Sequence, residues 1–313
     1  MQSKPILAVL FSTLAVVAAS WAAPAAAVAG EIFVSNESNG NVGEYTTSGA
    51  TINASLFFGT PGTHNTVISG SDMFMCGAGA KIGEYTTSGT TVNASVASLS
   101  FPYQMHSVAA AGGDLFVTVS NNFEFPQTGV ISEYTTSGAP VNTALVAGLS
   151  NPNAIVASGL DLFVSSFFAT GTIGEYTTSG GTVSASLITG LTSPVAGIAL
   201  SGSDLLVVIG NTIAEYTTSG DLVNASLITN PNAISDIAVF GTDIFVTSES
   251  AGTISEYTTS GDVVNASLIT GLTDPTAIVV VPEPSSLMLL SIAGTMLALA
   301  ARRRRSSRER PRQ

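Results

Sequence analysis

The sequence predicts an all-β fold: six four-stranded antiparallel sheets closed in a ring, a six-bladed β-propeller. Three observations predict it. A hexapeptide recurs six times, each repeat contains four short strand patterns, and the two ends of the array are offset by one strand. Glu-Tyr-Thr-Thr-Ser-Gly places its tyrosine at Tyr45, Tyr85, Tyr134, Tyr176, Tyr216 and Tyr257, in steps of 40, 49, 42, 40 and 41 residues. Periods near forty point to propellers, helical solenoids or arrays. Helical solenoids are disfavoured, because the repeat is rich in Thr, Val, Ser, Asn and Gly and has no helical apolar spacing. An insertion around Asn121 to Gln127 accounts for the long step.

The unit from Asn151 to Leu191 illustrates the strands. Asn153 to Ser158 forms a short apolar segment, followed by a Gly-Leu-Asp turn and then Leu162-Phe163-Val164-Ser165. Thr172 to Tyr176 leads into the Thr178-Ser179-Gly180-Gly181 turn, and Thr182 to Ile188 completes the set. Four short strands at roughly ten-residue spacing describe an antiparallel meander the size of one blade. The end offset decides the topology. Glu31-Ile32-Phe33-Val34 matches the second strand of the unit, whereas Pro275 to Val281 matches the first. The first repeat therefore takes its missing strand from the end of the chain, which seals a ring and protects its edges. An open solenoid or open β array has no use for this offset.

Charge narrows the function classes. Of the nine basic residues, seven lie between Arg302 and Arg312, and Lys4 is at the N-terminus. From Gly30 to Val281 the only basic residue is Lys81, against nineteen Asp and Glu. So acidic a body repels phosphate backbones and excludes nucleic-acid binding. Cys76 is the only cysteine, so no intramolecular disulfide supports the fold. It reads as a small apolar filler.

Both ends read as targeting segments. Lys4, the apolar stretch Ile6 to Ala19 and the small residues Ala27-Val28-Ala29 predict a secretory signal peptide over 1–29, removed by signal peptidase. An uncleaved anchor is the alternative. Residues 30–281 are then the propeller and 282–313 a sorting signal. There, Val281-Pro282-Glu283-Pro284-Ser285 precedes an apolar run ending at Ala301 and the cluster Arg302-Arg303-Arg304-Arg305. As a helix, 285–301 would measure about 25 Å, enough for a thin bilayer, with the arginines cytoplasmic. This order resembles the PEP-CTERM sorting signal of Gram-negative bacteria. The resemblance implies recognition by an exosortase near Pro282-Glu283-Pro284, transient anchoring through the helix, and a place in the cell envelope or outside the cell. It also implies an association with extracellular polysaccharide. An ordinary tail anchor is the alternative. The repeats resemble the broad group of six-bladed propellers with NHL-type and streptogramin-lyase-like repeats, and the WD40 signatures are absent.

The candidate chemistry lies where the repeats differ. Counting back from the turn Asp of each unit puts His64, His106, Asn153, Ala196, Ser235 and Thr276 in one ring at the start of the channel-lining strands. Asn65, Ser107, Ala154, Gly197, Asp236 and Ala277 follow in a second ring. His64, His106, Asn153, Ser235 and Asp236 are the candidate binding residues. Two histidines and Asp236 could approach a common axis. Metal sites of lactonase-type propellers use several carboxylates and Asn there, and this chain offers one carboxylate. No catalytic residue, metal site or cofactor is assigned. The six repeated glutamates, from Glu44 to Glu256, would be equivalent and far apart, unlike a catalytic pair. The repeat tyrosines are expected to pack between blades, and the turn residues Asp72, Asp114, Asp161, Asp204 and Asp243 to stabilise turns. Asn53, Asn93, Asn224 and Asn265 form sequon-like triplets that read as edge and turn residues. The expected function is a non-enzymatic binding or matrix scaffold. The alternative is a lyase or lactonase-type metal enzyme at the channel mouth.

Overall fold

The computed structural model describes residues 30–59, 62–77, 79–121, 127–167 and 171–282. The expected signal peptide, and Glu283 onward with the apolar run and Arg302 to Arg305, lie outside the described residues. Among the described residues, no helix is long and apolar enough to cross a membrane.

The chain opens with β1 (Gly30–Asn36), β2 (Asn41–Thr46) and β3 (Thr51–Phe58). The second sheet holds β4 (Thr63–Ser69), β5 (Asp72–Gly77), β6 (Lys81–Thr86) and β7 (Thr91–Ser98). The third holds β8 (Tyr103–Ala111), β9 (Asp114–Asn121), β10 (Thr128–Thr135) and β11 (Pro140–Ser150). The fourth holds β12 (Pro152–Ser158), β13 (Asp161–Ser166), β14 (Ile173–Thr177) and β15 (Thr182–Ile188). In the fifth are β16 (Val195–Ser201), β17 (Asp204–Ile209), β18 (Thr212–Thr217) and β19 (Leu222–Thr229). The sixth has β20 (Asp236–Phe240), β21 (Asp243–Ser248), β22 (Thr253–Thr258) and β23 (Val263–Thr270), and β24 (Pro275–Pro282) ends the series. β24 pairs with β1, so the first sheet reads β24-β1-β2-β3. The inner strands β24, β4, β8, β12, β16 and β20 contact one another in sequence around a full circle. The predicted six-bladed propeller and its closure by mixed termini are both present. The closing strand extends to Pro282, the first residue of the sorting triplet, because Pro282 faces Gly30 in the ladder.

No sheet has a core of its own. The six buried clusters each straddle a blade boundary, and the repeat tyrosine of one blade packs on the blade before it. Tyr134 joins Phe74, Cys76 and Ile82 of the second sheet, and Tyr176 joins Phe116 and Ile131 of the third. Tyr85 stacks on Phe57 of the first, with ring centroids 4.6 Å apart. Tyr216 alone of the six is only half-buried. The tyrosines therefore pack between blades as expected.

The Thr-Thr-Ser-Gly turn has a second role besides reversing the chain. In the first blade the Thr46 hydroxyl accepts from Ala50 N–H at 3.0 Å, and Gly49 N–H donates to Thr46 O at 2.9 Å. The glycine takes positive φ, +84° at Gly49 and +87° at Gly180. It also lies flat against the preceding blade: a Cβ on Gly180 would fall 2.7 Å from Leu145 O. Tyrosine and glycine of one motif thus dock each blade onto its predecessor. The outer strands carry the Asn-Ala-Ser triplets on exposed edges. There the Asn53 and Asn224 side-chain oxygens accept from Ser55 and Ser226 N–H at 3.1 and 3.0 Å. Register shifts interrupt the ladder beside them, and such bulges blunt an edge against pairing with other chains.

Two outcomes follow from this docking. Gly180→Ala, which forces a side chain into positive φ and onto Leu145, lowers unfolding free energy by at least about 1–3 kcal/mol in urea titrations. Ending the chain after Asp274 removes β24 and exposes both faces of the opened ring. The truncated protein then unfolds non-cooperatively and scatters as a larger, open particle in solution.

Candidate functional site

The channel opens on one side into a cavity of about 670 Å³, within the range of ordinary small-molecule sites. His64, His106, Asn153, Ser235, Asp236 and Thr276 all line it. The structure thus gathers every candidate residue at one mouth. Rings of His64 and His106 lie 6.5 Å apart between centroids. His106 Nε2 shares a 2.6 Å hydrogen bond with Ser120 Oγ, whereas His64 Nε2 is buried without a partner. Among the described residues, no three His, Cys, Asp or Glu side chains come together as a metal-binding group. The two histidines and Asp236 share the cavity but do not converge.

Of the eight polar side chains in the two rings, six hold the next blade, Asp236 among them, and the two histidines do not. In the first ring, Thr276 Oγ1 donates to Thr63 O at 2.8 Å. Ser235 Oγ donates to Pro275 O and Asn153 Nδ2 to Val195 O, both at 3.0 Å. Each acceptor immediately precedes the ring residue of the following blade. The second ring repeats the device with backbone donors. Asn65 Oδ1 accepts from Val108 N–H at 3.1 Å, Ser107 Oγ from Ile155 N–H at 3.3 Å, and Asp236 Oδ2 from Ile278 N–H at 3.0 Å. Asp236 is therefore a clasp between the sixth and first blades.

Sequence reasoning missed two sets of residues. Behind the rings, hydroxyls at the fifth position of the second strand tie the mouth together. Thr118 Oγ1 accepts from Ser107 N–H at 3.0 Å and donates to Asn153 O at 2.6 Å. Ser165 Oγ accepts from Ala154 N–H at 3.0 Å, and Thr247 Oγ1 donates to Asp236 O at 3.3 Å. A hydroxyl recurring in an otherwise apolar strand was the available signal. Cys76 occupies the same place in the second blade, wholly buried, which bears out its reading as a filler. The second missed set comes from the connecting segments: Glu37, Gln127, Asn151, Phe167 and Glu249 complete the cavity wall. Phe167 is 48% exposed, an aromatic face open to the mouth.

Burial sets the protonation of the site. Asp236 is raised from 3.8 to about 7, chiefly by burial, with the Ile278 and Ile237 N–H groups pulling the other way. His106 is lowered to about 4, first by burial and then by the charge of His64. The repeated glutamates lie outside the mouth. Each is raised by burial and, secondarily, by a carboxylate on the neighbouring strand, as Glu84 is by Asp72 and Glu256 by Asp243.

The fold defines a class, the six-bladed propellers of four-stranded blades. It resembles a chain in the crystal structure of a nidogen/laminin complex at 12% identity and a TM-score of 0.66, covering 80% of this chain and 98% of that one. It also resembles XC5397 from Xanthomonas campestris, a gluconolactonase, at 13% identity and a TM-score of 0.54, covering 69% of this chain and 78% of that one. Identities this low show the fold alone. No curated protein matches the chain. Residues 280–305 match the PEP-CTERM protein-sorting motif, which implies export to the cell envelope with exosortase as the processing partner.

Between pH 3.8 and about 7 the folded chain holds on Asp236 a proton that the unfolded chain has released, so stability falls as pH rises through that window. His106 works the other way, and stability is lost as pH falls from 6.5 through about 4. Asp236→Asn keeps an acceptor for Ile278, as Asn65 does for Val108 in the second blade. Urea unfolding should find this variant more stable than the parent at pH 8 and little changed at pH 5. Asp236→Ala, which orphans the Ile278 N–H, loses about 1–3 kcal/mol at pH 5.

Proposed function

We propose that the chain is an exported, envelope-sorted propeller acting as a non-enzymatic binding scaffold, whose mouth takes an uncharged polyhydroxylated ligand such as extracellular polysaccharide. Signal peptidase would release the chain near Gly30, and the helix over 285–301 would anchor it until sorting. One observation carries the reading: six of the eight polar ring side chains at the mouth, Asp236 and Asn153 among them, are committed to holding the next blade. Groups so engaged are poor metal ligands or proton carriers, because moving them opens a blade interface. What remains for a ligand is the amides of Asn151 and Gln127 beside the exposed ring of Phe167. Amides that donate and accept, with an apolar aromatic face, suit sugar hydroxyls and ring C–H surfaces better than a charged ligand.

A lactonase-type or lyase activity at the same mouth is the second reading. It is favoured by the unpartnered, buried Nε2 of His64 beside His106. Residues 30–282 contain every strand of the closed ring, so this fragment suits the test. On the scaffold reading it binds glycans on an array without consuming them, and Phe167→Ala abolishes binding while leaving the melting temperature unchanged. Stoichiometric divalent metal and metal-dependent lactone opening, both lost in His106→Ala, would establish the enzyme instead.

A further inference from the structure

We propose that the propeller is held at the membrane with its cavity pointing away from the bilayer, and that the opposite face, where both ends of the ring emerge, is the membrane-facing surface. The proposal rests on the reading of 285–301 as a membrane-spanning segment. The direction of β24 carries it. That strand starts at the mouth, where Thr276 lines the cavity and clasps Thr63. From Pro275 to Pro282 the chain then advances about 3.3 Å per residue, roughly 23 Å along the channel wall. Pro282 ends opposite Gly30, so the first and last described residues lie side by side on the far face. Turns between first and second strands, such as those at Ser71 and Ser203, share that face, because β4 and β16 run the same way from the mouth as β24.

In the sequence only Glu283 and Pro284 separate Pro282 from Ser285. The three steps from Pro282 to Ser285 reach at most about 11 Å. Turning the mouth to the bilayer would need a connection at least about twice as long, to pass back along the roughly 23 Å wall, or the tearing of β24 from β1. Paired Pro282 cannot supply that length, and Val281 before it is buried at 7% exposure. The N-terminal end agrees, since Gly30 opens on the same face and its carbonyl is held by Thr47 N–H at 3.1 Å. The far face also carries the carboxylate pairs, among them Asp72 with Glu84 and Asp243 with Glu256. Anionic headgroups would repel these, so zwitterionic lipid is the appropriate probe surface.

The orientation is tested on the full-length chain reconstituted in phosphatidylcholine vesicles, some of whose headgroups carry a nitroxide quencher. Single fluorophores are attached at Ser71→Cys or Ser203→Cys on the far face, or at Ser250→Cys on the mouth rim; all three serines are exposed. Cys76 does not compete, because it is wholly buried and burial pushes its thiol up. The expected result is a loss of fluorescence at Ser71→Cys and Ser203→Cys with none at Ser250→Cys. A long Gly-Ser insertion after Pro284 should erase that difference. Quenching at Ser250→Cys, or equal quenching at all three, overturns the orientation. A chain that fails to sediment with the vesicles overturns the anchor reading itself, and the orientation with it.

Discussion

Among the described residues, each of the six buried apolar clusters lies between two neighbouring blades. A four-stranded meander of this composition has two apolar faces and too few residues to fold one onto the other. Each sheet therefore depends on the sheets beside it, and a row of six would still leave its two end faces in water. The pairing of β1 with β24 removes those ends. It places Phe33 and Val281 in the cluster shared with the second blade, and Ile32 and Ile278 in the one shared with the sixth. The hydrogen bonds of one strand pair thus complete two of the six cores, and no disulfide assists them.

Around the ring the contacts have a direction. Tyrosine and glycine of the Glu-Tyr-Thr-Thr-Ser-Gly motif reach back to the preceding blade, as Tyr176 does to Phe116 and Gly180 to Leu145. At the mouth, side chains reach forward, as Asn153 does to Val195 and Asp236 to Ile278. Five of the six interfaces are consequently fastened twice, by packing from one side and by ring hydrogen bonds from the other. The exception is the fifth with the sixth, where the ring residues are Ala196 and Gly197. The forward bonds are buried or partly buried, where an unpaired donor is costly, so the polar mouth is part of the fold as much as a surface on which to bind anything.

This division explains what could be read from the sequence. Blade number, strand order and the shared first sheet were legible because the repeats are alike and the ends are out of phase. Ring membership was legible because a turn acid marks the register, and counting from it correctly put His64, His106, Asn153, Ser235 and Asp236 around one cavity. Side-chain direction was not. Asp236 faces a backbone N–H of another blade, 42 residues away in the chain, and nothing local announces that partner. Thr118, Ser165 and Thr247 resemble ordinary strand residues until the carbonyls and amides they bridge are known. Phe167 and Glu249 lie on connections whose lengths differ between blades, so counting from the repeat does not reach them.

The two ends of the channel differ in the kind of recognition they allow. On the far face nearly the same acid recurs in every blade, Glu31 and then Asp72, Asp114, Asp161, Asp204 and Asp243, so any contact made there is available six times and favours no angular position. At the mouth the corresponding ring reads His, His, Asn, Ala, Ser, Thr, and the connecting segments add Phe167 on one side and Glu37 and Glu249 on another. A ligand bound there meets a different group at each blade and can sit in only one rotational setting. Specificity is a difference between alternatives, and in a ring of near-identical units such differences exist only where the repeat breaks. The same break in symmetry that makes the mouth selective was tolerable because its clasps accept any side chain with an oxygen or an amide in reach. Asn65, Ser107 and Asp236 perform one structural task with three chemistries. Structural tolerance at the ring left its composition free to vary, and that freedom is what a binding site requires.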